Sequence, residues 1–195
     1  MSICINAMNY SKRFDYQRIN VVGTSSSGKT TFSKSLSAIL GIDHIEMDQI
    51  FWGPNWYWPS DEEFFTNLSE ILQKRKAWIL DGNYTRTIPI KWEKVELVIW
   101  LDYSFTRTFL YALKRAIKRS ITGEELWIGT GNRETFKKSF FSKDSIILWT
   151  IKTHKKVRFK YESFMNDKDY SRIKFIRLRS PSESENFLKQ ISSYT

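Results

Sequence analysis

The residue run most able to do chemistry is Gly23-Thr24-Ser25-Ser26-Ser27-Gly28-Lys29-Thr30. Its spacing, Gly-x-x-x-x-Gly-Lys-Thr, is that of a phosphate-binding loop. The glycines let the backbone wrap closely around phosphate oxygens and turn its N–H groups inward. In that reading Gly23, Ser25, Ser26, Ser27, Gly28, Lys29, Thr30 and Thr31 cradle a nucleoside triphosphate, ATP or another NTP. Lys29 reaches the terminal phosphates, and the Thr30 hydroxyl sits on Mg²⁺.

Three aspartates follow apolar runs: Asp48 after His44 to Met47, Asp81 after Ala77 to Leu80, and Asp102 after Glu96 to Leu101. Ligands of open α/β sheets bind at the carboxyl ends of strands, so all three are candidates for the site. Asp81, just before Gly82, is a partner for the Mg²⁺ hydration shell or else orients a nearby loop. Asp48 is a base or a holder of an acceptor hydroxyl. Asp102 begins a turn into a helix, which assigns it to capping.

These groups need a scaffold, and the pattern supplies one. Arg18 to Val22 reads as a buried strand leading straight into the glycine loop. Lys29 to Leu40 has helical spacing, with Phe32, Leu36 and Leu40 on one face and Gly41 as the stop. Ser60 and Glu63 form a capping box for a helix over residues 61–74. A basic helix over 105–119, a helix over 145–164, a strand over 173–178 and a terminal helix from near Ser182 complete the series. Alternating strand and helix predicts a three-layer α/β fold with a parallel sheet.

The 195 residues suit one domain over 18–195, preceded by an N-terminal extension over 1–17. No apolar run is long enough to span a bilayer, Met1 to Gln17 has no signal-like stretch, and the lone cysteine, Cys4, has no internal partner. The expectation is a cytoplasmic protein without membrane association, monomeric or dimeric. The net charge is +10, and residues 107–160 carry all of it, with 14 Lys/Arg against 4 Asp/Glu. Such a segment can neutralise nucleotide phosphates, bind nucleic acid, or form a solvated face. Between Phe51 and Pro59, five aromatics stand in nine residues. They either stack a base or sugar of the acceptor or form a small satellite core under a loop.

The glycine loop, the segment Asp81-Gly82-Asn83-Tyr84-Thr85-Arg86-Thr87 and the strand Val98 to Asp102 resemble adenylate-kinase-like kinases of nucleosides and small molecules. Met47 to Trp52, Asp81 to Thr87 and Gly131-Asn132-Arg133-Glu134-Thr135 are similar, more closely, to the group named DNA topology modulation proteins. The resemblance implies a P-loop NTPase fold with a five-stranded parallel sheet of order 2-3-1-4-5 and a small mobile lid at about 121–142. It implies that Arg86 contacts an acceptor phosphate, that Arg115 and Arg119 meet ATP, and that Arg133 closes on the transferred group. Arginine suits these roles because its planar fork binds phosphate oxygens in pairs; each could equally be a surface cation. Asn83-Tyr84 stands where adenylate kinases carry Phe-Pro, and their AMP-binding helix signature is missing.

The expected activity is transfer of the γ-phosphoryl of ATP, with Mg²⁺, to a small acceptor: a nucleotide, a nucleoside or a hydroxyl compound. The alternatives are a nucleic-acid-associated NTPase, for which Lys152 to Lys160 with Trp149 and Phe159 speak, and a slow nucleotide-dependent switch.

Overall fold

In the computed structural model, residues 14–127, 129–133 and 145–193 are described. Cys4, Glu134, Thr135 and much of the expected lid and N-terminal extension lie outside them.

The strands are β1 (Arg18–Gly23), β2 (His44–Glu46), β3 (Trp78–Asp81), β4 (Leu97–Leu101) and β5 (Lys174–Leu178). They form one parallel sheet of order β2-β3-β1-β4-β5, as the resemblance implies. The longer helices are α1 (Lys29–Leu40), α3 (Asp61–Gln73), α5 (Phe105–Thr122), α6 (Ile146–Asn166) and α7 (Pro181–Ser192). Two short helices, α2 (Met47–Phe51) and α4 (Ile88–Lys91), follow β2 and β3.

Alternation along each strand builds the three layers. Ile19 and Val21 of β1, Ile79 of β3, and Leu97, Ile99 and Leu101 of β4 pack with Phe32 and Leu36 of α1 and Phe187 and Ile191 of α7. Their neighbours Val22, Trp78, Leu80, Val98 and Trp100 face the other way, against Phe64 and Leu68 of α3 and Tyr161 of α6. The middle strands are buried on both faces, which is why their sequences read as unbroken apolar runs. Of the N-terminal extension, Phe14 and Tyr16 join the first layer, with Phe14 edge-on to Phe187.

Local signals set most boundaries. Gly41 ends α1 in the left-handed conformation, its N–H bonded to the Ser37 carbonyl. Ser60 caps α3, its hydroxyl accepting the Glu63 N–H at 3.2 Å. The reciprocal half of the capping box is replaced by a bond from Tyr57, whose hydroxyl donates to the Glu63 carboxylate. β2 stops at Glu46, one residue earlier than its apolar pattern suggests, and Met47 already starts α2. Asp48 therefore stands in the first turn of α2 rather than directly after a strand.

Candidate active site

The glycine loop leaves β1 at Gly23, where φ is +151°. A Cβ at Gly23 would lie 2.6 Å from the Leu101 carbonyl oxygen and 2.8 Å from Ser27 Oγ, so only glycine fits. The Ser27 N–H donates to the Thr24 carbonyl at 3.1 Å, and Ser26 and Gly28 take left-handed φ angles of 63° and 85°. These reversals hold the loop as a hollow above the first turn of α1, whose N-cap, Gly28, contributes no side-chain bond. The open N–H groups and helix dipole there favour an anion. Ser26 Oγ and Ser27 Oγ are buried in the same loop and find no hydrogen-bond partner among the described residues. Phosphate oxygens in the hollow would satisfy them. The loop thus fits the triphosphate that its spacing implies.

Lys29 is half-buried, its ammonium donating to the Thr24 carbonyl at 3.1 Å. Burial lowers its pKa; Asp81 and Asp48 oppose that shift, and Arg115 adds to it. Lys29, Asp48, Asp81 and Arg115 therefore share one electrostatic neighbourhood. Thr30, half-buried, and Thr31, exposed, follow Lys29 in the first turn of α1.

Asp81, at the end of β3, is buried and paired with His44 of β2, whose Nε2 lies 2.9 Å from Asp81 Oδ2. Burial raises the pKa of Asp48, while a hydrogen bond from Tyr84 and the charge of Lys29 pull it back. Tyr84 Oη donates to Asp48 Oδ1 at 2.7 Å. Glu46 belongs to the same acidic group, its pKa raised by burial and then by Asp81 and Asp48. No cluster of three His, Cys, Asp or Glu among the described residues is arranged to hold a metal by itself. Mg²⁺ does not require one, because it takes one or two carboxylates together with substrate phosphates.

The arginines divide. Arg115, half-buried on α5, reaches the field of Lys29 and Asp48, and Arg119 is half-buried one turn on. Arg86 turns towards the start of α3, where it meets Asp61 at 2.6 Å and lies over the rings of Phe51 and Phe64. Arg133 is exposed and its guanidinium lies beside Gly123 at the end of α5. Asp102 does not cap α5: Ser104 holds that position, and the Asp102 carboxylate binds Arg158 and Arg177 instead. The local pattern hid this because both arginines come from distant elements.

The aromatic segment forms a satellite cluster. Trp52 stacks on Trp127 at 5.9 Å and 12°, while Trp56 and Trp58 stand edge-on to Trp52. Tyr57 and Trp58 remain exposed.

Sequence reasoning missed His44, Glu46, Asn83 and Tyr84 as members of the site. Glu46-Met47-Asp48, two carboxylates flanking one apolar residue after a strand, was a usable signal. So was the Asn83-Tyr84 replacement of Phe-Pro.

The sheet order, with helices on both faces, matches the fold of P-loop kinases. Solved structures share it. A sugar kinase from a Janibacter species matches with TM-score 0.52 and 13% identity, over 92% of this chain and 94% of that one. Shikimate kinase from Acinetobacter baumannii, solved with shikimate, matches with TM-score 0.51 and 14% identity, over 91% of each chain. A gluconokinase from Sinorhizobium meliloti 1021 aligns over 93% of this chain and 96% of its own, at TM-score 0.48 and 14% identity. No family model matches the sequence, and no curated protein matches it. No helix among the described residues is long and apolar enough to cross a membrane.

Proposed function

We propose that the protein is a phosphotransferase that moves the γ-phosphoryl group of ATP to a hydroxyl of a small acceptor. The observation that carries this reading is Asp48: a carboxylate of raised pKa, beside Lys29 of the phosphate loop, held by Tyr84. A base whose pKa is brought nearer to neutrality takes a hydroxyl proton more effectively at physiological pH. The resemblance to adenylate-kinase-like kinases and to the DNA topology modulation group supports the donor half. Arg86, engaged with Asp61, speaks less for a phosphate-bearing acceptor than for a hydroxyl one. The sugar kinase and shikimate kinase that share the fold carry acceptors of that kind in their names.

In this reaction the acceptor oxygen forms a bond to the γ-phosphorus as the bond to the β,γ-bridging oxygen breaks. ADP leaves with that electron pair, and the acceptor proton passes to Asp48. Lys29 and Arg115 neutralise charge on the phosphates, with Arg119 and Arg133 as further cations, and the loop N–H groups hold the donor in line. Thr30 and Asp81 would hold Mg²⁺, which would supply charge neutralisation for the transferring phosphoryl group; His44 keeps Asp81 oriented.

The test is ATP consumption against panels of sugar-like alcohols and hydroxy acids, nucleosides, and nucleoside monophosphates. Acceptor-dependent ADP release in a hydroxyl panel is expected, falling ~10²-fold or more in Asp48→Asn, as for removal of a general base. No acceptor-dependent turnover in any panel sinks the reading.

A second reading, a nucleic-acid-associated NTPase, draws on α6, where Trp149 and Phe159 are 59% and 76% exposed among Lys152, Lys155 and Lys156. Retention on single-stranded DNA at physiological salt would favour it, and loss of retention there would remove it.

A further inference from the structure

Asn132 is fully buried and spends its whole side chain on a loop 79 residues away. Its Nδ2 donates to the Gly53 carbonyl at 2.9 Å, and its Oδ1 accepts the Trp56 N–H at 2.7 Å. The Asn55 N–H donates to the Thr130 carbonyl at 3.2 Å, so backbone and side chain both seal the contact. The segment that carries Asn132 is shaped in advance: the Glu125 carboxylate accepts the N–H groups of Gly129 and Gly131. On the other side, Asn55 and Trp56 adopt left-handed φ angles of 55° and 61°, a conformation that costs free energy in non-glycine residues. Strain of this kind persists only where surrounding contacts fix it, and here the Asn132 bonds do so.

The docked contact leads into the site. Trp127 lies flat on Trp52. Phe51 links Trp52 to Tyr84, its ring edge-on to Trp52 at 5.0 Å and 5.0 Å from the Tyr84 ring, and Tyr84 donates to Asp48 Oδ1. With Oδ1 occupied by Tyr84, Asp48 presents Oδ2 to a substrate.

We propose that Tyr84 and Trp52 are positioning residues for Asp48, and that Asn132, by docking its segment on residues 53–56, sets them in place. The inference rests on the phosphoryl-transfer reading above. Trp52, stacked on Trp127 and packed on Phe51, orients Tyr84 through that ring; Tyr84 fixes the rotamer of Asp48; the carboxylate then meets an acceptor hydroxyl in one geometry. Misplacing a catalytic group by a fraction of an ångström lowers the rate without weakening donor binding.

The test compares Tyr84→Phe, Asn132→Ala and the double variant, using whichever acceptor the wild type turns over. Tyr84→Phe keeps the ring between Phe51 and Phe64 and removes only the hydroxyl. Each single variant is expected to lower kcat by about ten- to a hundredfold with KM for ATP unchanged. The double variant should be no slower than the slower single, because both act through the same carboxylate. Multiplicative losses in the double variant overturn the proposal, as does a rise in KM for ATP that parallels the loss in kcat and a lowered melting temperature. A second readout does not depend on turnover: the indole N–H resonance of Trp52 in the wild type and both variants. A shift in Tyr84→Phe and faster hydrogen exchange in Asn132→Ala are expected. A resonance unmoved in both overturns the chain from Asn132 to Asp48 even if the kinase reading stands. Absence of wild-type turnover with the resonance moved overturns the kinase reading instead and leaves the chain as a structural clasp.

Discussion

Asn83 grips Gly23 from both sides: its Oδ1 accepts the Gly23 N–H at 3.0 Å, and its Nδ2 donates to the Gly23 carbonyl. The β1–β3 ladder ends at Val21 and Asp81, with the Gly82 N–H still reaching the Val21 carbonyl at 3.2 Å. One step further, the Asn83 amide plays the part of a strand backbone, so the first residue of the phosphate loop stays paired beyond the end of β3. Tyr161, buried on α6, donates to the same Asn83 oxygen at 3.3 Å.

Asn83→Ala should therefore loosen the loop where it leaves the sheet. Two backbone groups of Gly23 lose their partner, at a cost of about 1–3 kcal/mol in stability. Triphosphate affinity should fall by about tenfold as the loop becomes less preorganised. Asn83→Asp keeps the acceptor but adds negative charge beside the phosphates, so it should hurt affinity more than melting temperature. Calorimetric titration with a non-hydrolysable ATP analogue and thermal melts separate the two effects. A variant that binds as tightly as wild type would leave Asn83 without a role in the loop.

Lys29→Ala should abolish measurable triphosphate binding, a loss of roughly 10²-fold or more for a charge-assisted contact to phosphate. The fold should survive. Among the described residues the only hydrogen bond of Lys29 is to the Thr24 carbonyl, and burial of its ammonium works against stability. Circular dichroism melts should stay within a few degrees of wild type, as ~1 kcal/mol or less predicts for a chain of this size. Retained ATP affinity would mean that phosphate binds elsewhere.

The parts of the molecule legible in the sequence are those whose physics is local. The phosphate loop is a consecutive run because one turn of backbone must surround one ligand. Ser60 and Gly41 mark helix ends through bonds that span three or four residues. The buried strands declare themselves because both their faces are covered. What escaped depends on contacts that join distant segments: His44 to Asp81 across 37 residues, Tyr84 to Asp48 across 36, and Asn83 to Gly23 across 60. The aromatic run could be read either as a stacking platform or as a satellite core. The structure stacks Trp52 of that run on Trp127, a ring that the run itself does not contain, and leaves Tyr57 and Trp58 exposed.

Asp102 was misjudged for the same reason, and its true setting makes a prediction. Its buried carboxylate receives Arg158 Nε at 2.8 Å and both Nε and Nη2 of Arg177, while Arg177 also lies 4.3 Å above the Trp100 ring. Asp102→Asn leaves two guanidinium groups facing a neutral amide. Breaking a buried pair from one side costs about 3–5 kcal/mol, and the partial exposure of Arg158 brings the expectation down to ~2–3 kcal/mol. Urea unfolding should report that loss. A change below ~0.5 kcal/mol would mean that solvent already screens the network.

Lys91 gives the pH dependence. It is fully buried on α4, its ammonium donates to the Gly82 carbonyl at 3.4 Å, its one hydrogen bond among the described residues, and Lys160 is the charge that acts on it. Burial, and secondarily Lys160, lowers its pKa from the usual 10.5 to about 7. The folded-state value thus lies below the unfolded one, so between those two values the unfolded chain holds a proton that the folded chain has released. Stability should therefore rise as pH increases from about 7 towards 10, and the Lys91 penalty is largest at and below neutrality, where folding buries the charge. Lys91→Met, of similar length and without the charge, should stabilise the protein by roughly 4 kcal/mol at pH 7, and by less at each higher pH. The measurement is urea unfolding of both proteins from pH 6.5 to 9.5, read as the difference between the two curves, because burial lowers the pKa of Lys29 and Lys160 as well. Curves that run parallel across that range would show that Lys91 keeps its proton in the fold.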